Sequence, residues 1–350
     1  MIGGEHYYKK NIFDIGNNNS FYGYLTNIFN KNQIKFFSTG RDCIFSLFKT
    51  IELDTLWIPN YLCESILKSI EESKTRIKFY EIDSNLRIKT DFLNKMGNND
   101  YVFVINYFGI IDYDFYEEAK KNNIKIISDI THSFVNIDKV SYVYKISHYV
   151  LGSFRKILAI SDGAFVASIN QEMDIEYLDC IREDFVTYRT HGLLDRYYCK
   201  ENGFKSDENY YLLRKAEKIL DETFQYGYKQ SHLSYEILKR INLKKEFLQA
   251  KKNFMYFVKN ISNNKYIKTL CNTDYISQYI VLKFNNKNNR DRFRKLCFEN
   301  DIFLPVHWDT SFLYQNHSLS DLLLSVPCDS RYDFNDMNKI IRLIEVMKFN

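Results

Sequence analysis

Between residues 36 and 169 the chain alternates short β-branched or aromatic runs with longer stretches whose apolar residues recur at helical spacing. No other feature restricts the fold as much. Leu56-Trp57-Ile58, residues 77–82, Tyr101-Val-Phe-Val-Ile105 and Lys125-Ile-Ile-Ser128 read as strands, and residues 140–150 as one or two more. Between them, residues 44–51, 63–72 and 113–122 read as helices. Regular strand–helix alternation predicts an α/β fold: a mostly parallel sheet with helices on both faces. From about residue 177 to 258 the pattern changes to long Lys- and Glu-rich helices, over 212–223 and 233–258. Strands (276–284, 302–306) and helices (289–300, 334–347) then return. The expected division is a large domain over 1–240, of which 175–240 is a helical extension, and a smaller C-terminal α/β domain over 241–350.

A length of 350 residues agrees with two domains or one large α/β unit, and 45% hydrophobic residues exclude a disordered chain. A formal net charge of +4, with the charges interspersed, gives no basic stripe for nucleic acid. The seven cysteines are scattered and never form CxxC, which predicts reduced thiols rather than disulfides or a zinc site. No run approaches the 18 to 20 apolar residues that span a bilayer, and the first ten residues lack a signal-peptide core. The expected location is the cytoplasm, away from membranes.

In α/β sheets ligands collect at the carboxyl ends of strands, and four motifs fall there. Ser38-Thr-Gly-Arg-Asp-Cys43 joins a strand to a helix; Gly40 permits a tight turn and the following N–H groups could hold a phosphate. Equally, Asp42 could simply cap that helix. Asn106-Tyr-Phe-Gly109 places aromatic and amide groups at a strand exit, where Tyr107 could touch a bound ring or merely pack. Ser128-Asp-Ile-Thr-His132 offers a carboxylate, Asp129, for a cationic ring nitrogen, with His132 three residues on; a helix cap is the alternative. Gly152-Ser-Phe-Arg-Lys156 puts a lysine between a small-residue turn and an apolar run, where desolvation makes its amine a nucleophile toward an aldehyde. A lysine merely snorkelling from a buried strand would look the same. Arg155 adds positive charge beside it, although neighbours in a strand point to opposite faces. Neither GxxxxGK[ST] nor GxGxxG occurs.

The order of these signs is more informative than any one of them. A phosphate cup, then an aspartate after a later strand, then a lysine with a serine three residues before it is the arrangement a pyridoxal phosphate site needs. With these motifs the chain resembles the fold-type I pyridoxal phosphate enzymes, specifically the DegT–StrS sugar aminotransferases. The resemblance runs from Ile2-Gly3-Gly4-Glu5 through Thr39–Ile44, Ile58–Cys63 and the motifs above to Asp162-Gly163, Leu304-Pro-Val-His-Trp308 and residues 324–333. It is weakest over 175–260, and the Ser153-to-Lys156 spacing is two residues shorter than in better-known members, which marks a divergent branch.

The resemblance implies a large domain with a seven-stranded sheet. It implies that Lys156 forms the Schiff base, Asp129 binds the protonated pyridine nitrogen and His132 approaches the phenolic oxygen. Gly40, Arg41 and Asp42 would offer N–H groups to the phosphate, helped by the Ser153 hydroxyl. Cys63 stands where many members stack an aromatic residue on the cofactor, leaving Tyr61 or Tyr107 to replace it. His307, Trp308 and Arg331 are candidate substrate contacts, Arg331 being equally able to pair with Asp333 or Asp336. The implied activity is transfer of an amino group from an amino acid, glutamate in most members, to a nucleotide-linked keto sugar by a homodimer. The alternatives are a decarboxylase, a sugar dehydratase (whose known members carry His in place of the lysine) or a non-catalytic protein that keeps the fold.

Overall fold

The computed structural model describes residues 1–8, 20–223, 225–262, 266–271, 276–308 and 319–347. Its centre is a seven-stranded sheet in the order Ile34–Phe37, Ala164–Ser168, Tyr149–Ser153, Lys125–Asp129, Tyr101–Ile105, Leu56–Pro59, Ile77–Tyr80. All neighbouring pairs are parallel except those made by Ala164–Ser168, which runs against both of its neighbours. The strands Tyr101–Ile105 and Ala164–Ser168 are buried along their whole length, which explains why they read as continuous apolar runs rather than alternating ones.

Helix Gly40–Thr50 follows the first strand and packs on helix Glu64–Glu72. A hairpin of helices Glu183–Asn202 and Glu208–Asp221 stands outside the sheet, the first ending at Gly203 in the left-handed region (φ 70°). A second, antiparallel sheet of Leu323–Pro327, Tyr279–Phe284 and Ile267–Thr269 carries helices Lys287–Glu299 and Phe334–Val346. The chain start is tied to this part, because Ile2–Gly3 pairs in parallel with Ile302–Phe303.

Two expectations change. Residues 140–150, read as one or two strands, hold the end of helix Ile137–Ile146 and the start of one strand, Tyr149–Ser153. Burial of the adjacent Val143 and Tyr144 against the core overrides the β propensity of that run. The single helix expected over 233–258 is two, His232–Arg240 and Leu243–Asn260, each with its own cap: Ser231 accepts from the Ser234 N–H, and Asn242 from that of Lys245. The 20-residue helix Glu183–Asn202 falls in the stretch expected to be a helical extension, but its bounds are not legible in the sequence, since its apolar residues form no clear stripe. No described helix is long and apolar enough to cross a membrane.

Candidate active site

Register places the site. Ile105 lies opposite Asp129, and Asp129 opposite Leu151, so three parallel strands end side by side, the third running on two residues to Ser153. On the far side both Phe37 and Ser153 pair with Ala164, which draws the Gly40 turn against Ser153: a Cβ on Gly40 would lie 3.7 Å from that of Ser153. These strand ends and the start of helix Gly40–Thr50 surround a cavity of about 200 Å³. Its walls include Gly40, Arg41, Cys63, Asp129, Thr131, His132, Ser153, Lys156, His307, Trp308 and Arg331. Of the sequence candidates, Asp42, Tyr61 and Tyr107 are outside it.

Asp42 is fully buried and spent on structure. One carboxylate oxygen accepts from the Thr39 N–H (3.0 Å) and hydroxyl (2.6 Å). The other accepts from Arg182 Nη2 and the Gly227 N–H, both at 2.9 Å, and from the Tyr228 N–H at 3.3 Å. Its own N–H donates to Thr39 Oγ1, closing a capping box. The expected trio of phosphate donors is therefore reduced to Gly40 and Arg41, whose N–H groups have no acceptor among the described residues. The Arg41 side chain points away, to the Leu220 carbonyl and Asp221, each at 2.6 Å. Tyr107 is turned behind the cavity wall and donates to the Tyr61 carbonyl, while Tyr61 donates to that of His307. The turn that buries them runs through Phe108 at φ 50° and Gly109 at φ 81°, where a Cβ would strike the Ile276 carbonyl oxygen at 2.8 Å. Neither tyrosine lines the cavity; the aromatic groups facing it are His6, His132, Tyr279, His307 and Trp308.

Asp129 closes its strand with a buried carboxyl group whose Oδ1 accepts from the Thr131 N–H at 2.8 Å. Burial raises its pKa, partly offset by Thr131, and no described Lys or Arg pairs with it. A buried carboxylate without a cation is costly, so this wall suits a cationic ring nitrogen. His132 stacks nearly parallel on Trp308 (5.5 Å, 10°) and on Phe108 (4.8 Å, 21°). Its Nδ1 is buried without a partner, and burial, His307 and Lys156 hold the ring neutral by lowering its pKa. His307 binds Ser325 Oγ through Nδ1 at 2.9 Å, and burial with Lys156 pushes its pKa down to about 3. Arg331 pairs with neither Asp333 nor Asp336. It forks onto Asp329 (2.7 and 2.8 Å) and donates to the Gly4 and Glu5 carbonyls, both at 2.8 Å, fastening the chain start to the C-terminal part. Asp333 instead caps the last helix with Asp336.

Lys156 ends a 3-10 turn, Phe154–Lys156, rather than lying in a strand. Its side chain is accessible only because it projects into the cavity, with protein around it. The amine pKa is lowered, first by Arg155 and then by burial, against the opposing pull of Glu217, Cys63 and Glu5. The strand argument that sent Arg155 to the opposite face does not apply in a turn. Sequence reasoning missed Thr39 and Thr131. The Thr131 hydroxyl accepts from the Ser153 N–H at 3.1 Å, so two strand ends are joined there. It also missed Glu217, for which no local signal exists.

These residues fit pyridoxal phosphate on the chemistry of their donors: free helix-start N–H groups for a phosphate, a cation-seeking carboxylate, a buried unpartnered imidazole nitrogen and an amine with lowered pKa. The architecture is the fold-type I pyridoxal phosphate transferase fold. Within it the chain is similar to sugar aminotransferases. A putative sugar aminotransferase, Spr1654 of Streptococcus pneumoniae, aligns with a TM-score of 0.65 and 11% identity over 99% of this chain and 94% of that one. PseC of Helicobacter pylori, an aminotransferase of pseudoaminic acid biosynthesis, aligns at 0.63 and 10% over 98% and 92%. DesI, solved in the presence of its TDP-sugar product, aligns at 0.63 and 10% over 95% and 85%. No protein-family model and no curated protein matches the sequence.

Proposed function

We propose that this chain is a pyridoxal phosphate-dependent aminotransferase that moves an amino group from an amino acid, glutamate, to a nucleotide-linked keto sugar. The observation that carries the reading is that Lys156, Asp129 and the Gly40–Arg41 helix start line one cavity. Pyridoxal phosphate supplies an aldehyde for amine exchange and a protonated ring that draws off the electron pair released at the substrate carbon. The Gly40 and Arg41 N–H groups and the Ser153 hydroxyl hold its phosphate, fixing the ring's place. The Asp129 carboxylate keeps a proton on the ring nitrogen. His132 offers Nδ1 to the phenolic oxygen. Lys156 would hold the aldehyde at rest; released from it, its Nζ would take a proton from the substrate carbon and deliver it to the cofactor's exocyclic carbon, acting as base and then acid.

The acceptor class is supported by the cleft of about 1670 Å³ that shares Gly4, Glu5, Tyr279 and His307 with the cavity. Arg196, Arg214, Arg294 and Lys295 line it beside Tyr210 and Tyr211, cations and rings that suit a nucleotide diphosphate. DesI, solved in the presence of its TDP-sugar product, points to the same class of acceptor. The active form in this reading is a cytoplasmic homodimer. The test is the absorbance spectrum of purified protein with pyridoxal phosphate, before and after glutamate. Conversion of the pyridoxal band to a pyridoxamine band, absent in Lys156→Ala, is the expected result; an unchanged spectrum with every amino acid tried overturns the reading.

A further inference from the structure

Five charged side chains from distant segments meet at the rim of the cavity. Glu217, on helix Glu208–Asp221, accepts from Arg155 at 2.5 and 3.3 Å and from Arg189 Nη1 at 3.0 Å. Arg189 Nη2 reaches on to Glu5 Oε2 at 3.1 Å. Both arginines are buried, Arg189 almost completely at 1% exposure, whereas the two carboxylates open onto the cleft. Two carboxylates and two guanidinium groups sum to zero. The fifth group is Lys156, adjacent to Arg155; protonated, it would be the one uncompensated cation of the cluster.

The other groups facing the cavity do not change this balance. His132 and His307 are held neutral by burial. Asp329 is matched by Arg331. Asp129 responds only to burial and Thr131, so its charge is not coupled to the cluster. Arg41 is matched by Asp221, and burial raises the Tyr279 pKa and keeps its hydroxyl protonated; Cys63 and His6 also line the cavity.

We propose that the ion-pair chain Glu5–Arg189–Glu217–Arg155 is a positioning device for the Lys156 amine. It fixes one positive charge beside the amine and keeps the surrounding charges at zero, so that a proton on the nitrogen is disfavoured and the amine is more nucleophilic before the cofactor arrives. Arg155 and Glu217 act with opposite sign: Arg155 repels a proton from Lys156, and Glu217 attracts one while holding Arg155 in place. The lowered pKa of Lys156, with Arg155 as its foremost cause and Glu217 opposing, agrees with this geometry. The inference rests on the reading of Lys156 as the group that bonds the cofactor aldehyde, but its test does not.

The test is the pH dependence of Lys156 acylation by trace acetic anhydride in the full-length, cofactor-free protein, read by peptide mass spectrometry. Arg155→Gln is expected to raise the midpoint, and Glu217→Gln to lower it, each by roughly one pH unit; Arg155→Lys, which keeps the charge, restores the parent value. A scaffold role alone would move both Gln variants in the same direction, toward an ordinary exposed lysine. Should Glu217→Gln not fold, Glu5→Gln removes the same charge from the far end and is expected to give a smaller fall. Opposed shifts support the proposal whatever the spectral titration with glutamate shows. Shifts of like sign, or none, overturn it even where that titration succeeds.

Discussion

Removing the Asp42 carboxylate separates a structural role from a cofactor-binding one. In Asp42→Ala the Thr39–Asp42 capping box is lost, a loss of about 1 kcal/mol. The larger effect is at Arg182, whose guanidinium is buried beside a fully buried carboxylate. Stripping the partner from such a pair costs about 3–5 kcal/mol. Arg182 keeps the Gln225 carbonyl at 2.6 Å and Thr223 Oγ1 at 3.2 Å, and it lies 4.1 Å over the Tyr228 ring, which places the loss at the low end of that range. The Gly227 and Tyr228 N–H groups also lose their acceptor. Because all these groups share one carboxylate, their effects do not add, and about 4 kcal/mol is expected for the whole. Asp42→Asn, which keeps one oxygen, is expected to lose about half as much. The assay is urea unfolding without cofactor, read from the first transition. Were Asp42 there only to serve a phosphate, Asp42→Ala would unfold like the parent in that assay; a loss below about 1 kcal/mol refutes the reasoning.

Asp129→Asn is expected to retain some pyridoxal phosphate while turnover falls at least about a hundredfold, the scale of a lost electrostatic contact to developing charge; unchanged turnover contradicts the ring-nitrogen role. Gly163 sits at φ 126°, and a Cβ there would come 2.5 Å from Gln230 Nε2. Gly163→Ala is therefore expected to lower stability by about 1–3 kcal/mol, and an unchanged urea midpoint argues against the strain. With its pKa near 3 in the folded chain, His307 binds its proton more readily when unfolded. The stability it contributes is whole above the unfolded value of about 6.5 and is lost as pH falls from there toward 3. His307→Asn, whose amide can still meet Ser325, is expected to flatten the pH dependence of unfolding by about one proton in that window; parallel profiles for the two proteins contradict it.

What could be read from the sequence was local. Strand Tyr101–Ile105 carries its burial in five adjacent apolar residues, and the turns after strands announce themselves by Gly40, Asp129 and Ser153. Lys156 stands out in the sequence, and lines the cavity, because the turn and apolar run around it are its chain neighbours. Side-chain direction was harder to foresee. Tyr107 follows a strand as expected, but the left-handed backbone at Phe108 turns it behind the wall, and nothing in Asn-Tyr-Phe-Gly reveals the turn's hand at a non-glycine residue. Arg155 was judged by strand geometry, whereas the chain had already entered a 3-10 turn. Glu217 and Arg189 lie beyond any local pattern: Glu217 is 62 residues from Arg155, on a helix whose charges otherwise resemble a solvated face.

The same contrast explains how a chain only 10–11% identical to known sugar aminotransferases can follow their path almost from end to end. The path requires pattern: apolar runs of strand length, amphipathic helices between them, and one strand, Ala164–Ser168, running against its neighbours. Any apolar residue of suitable volume satisfies that demand. The cavity demands particular atoms, and the sheet brings them together at little cost. Parallel strands ending in register place Asp129 and Ser153 on one edge, and the short exit to Lys156 and the helix start at Gly40 follow from the same edge. Charge balance is different, because an amine in a protein-walled cavity responds to every fixed charge near it, whichever segment supplies it. Lys156 is therefore positioned by the sheet but conditioned by a helical hairpin that the strand pattern does not specify, in the very stretch where the motif resemblance is weakest.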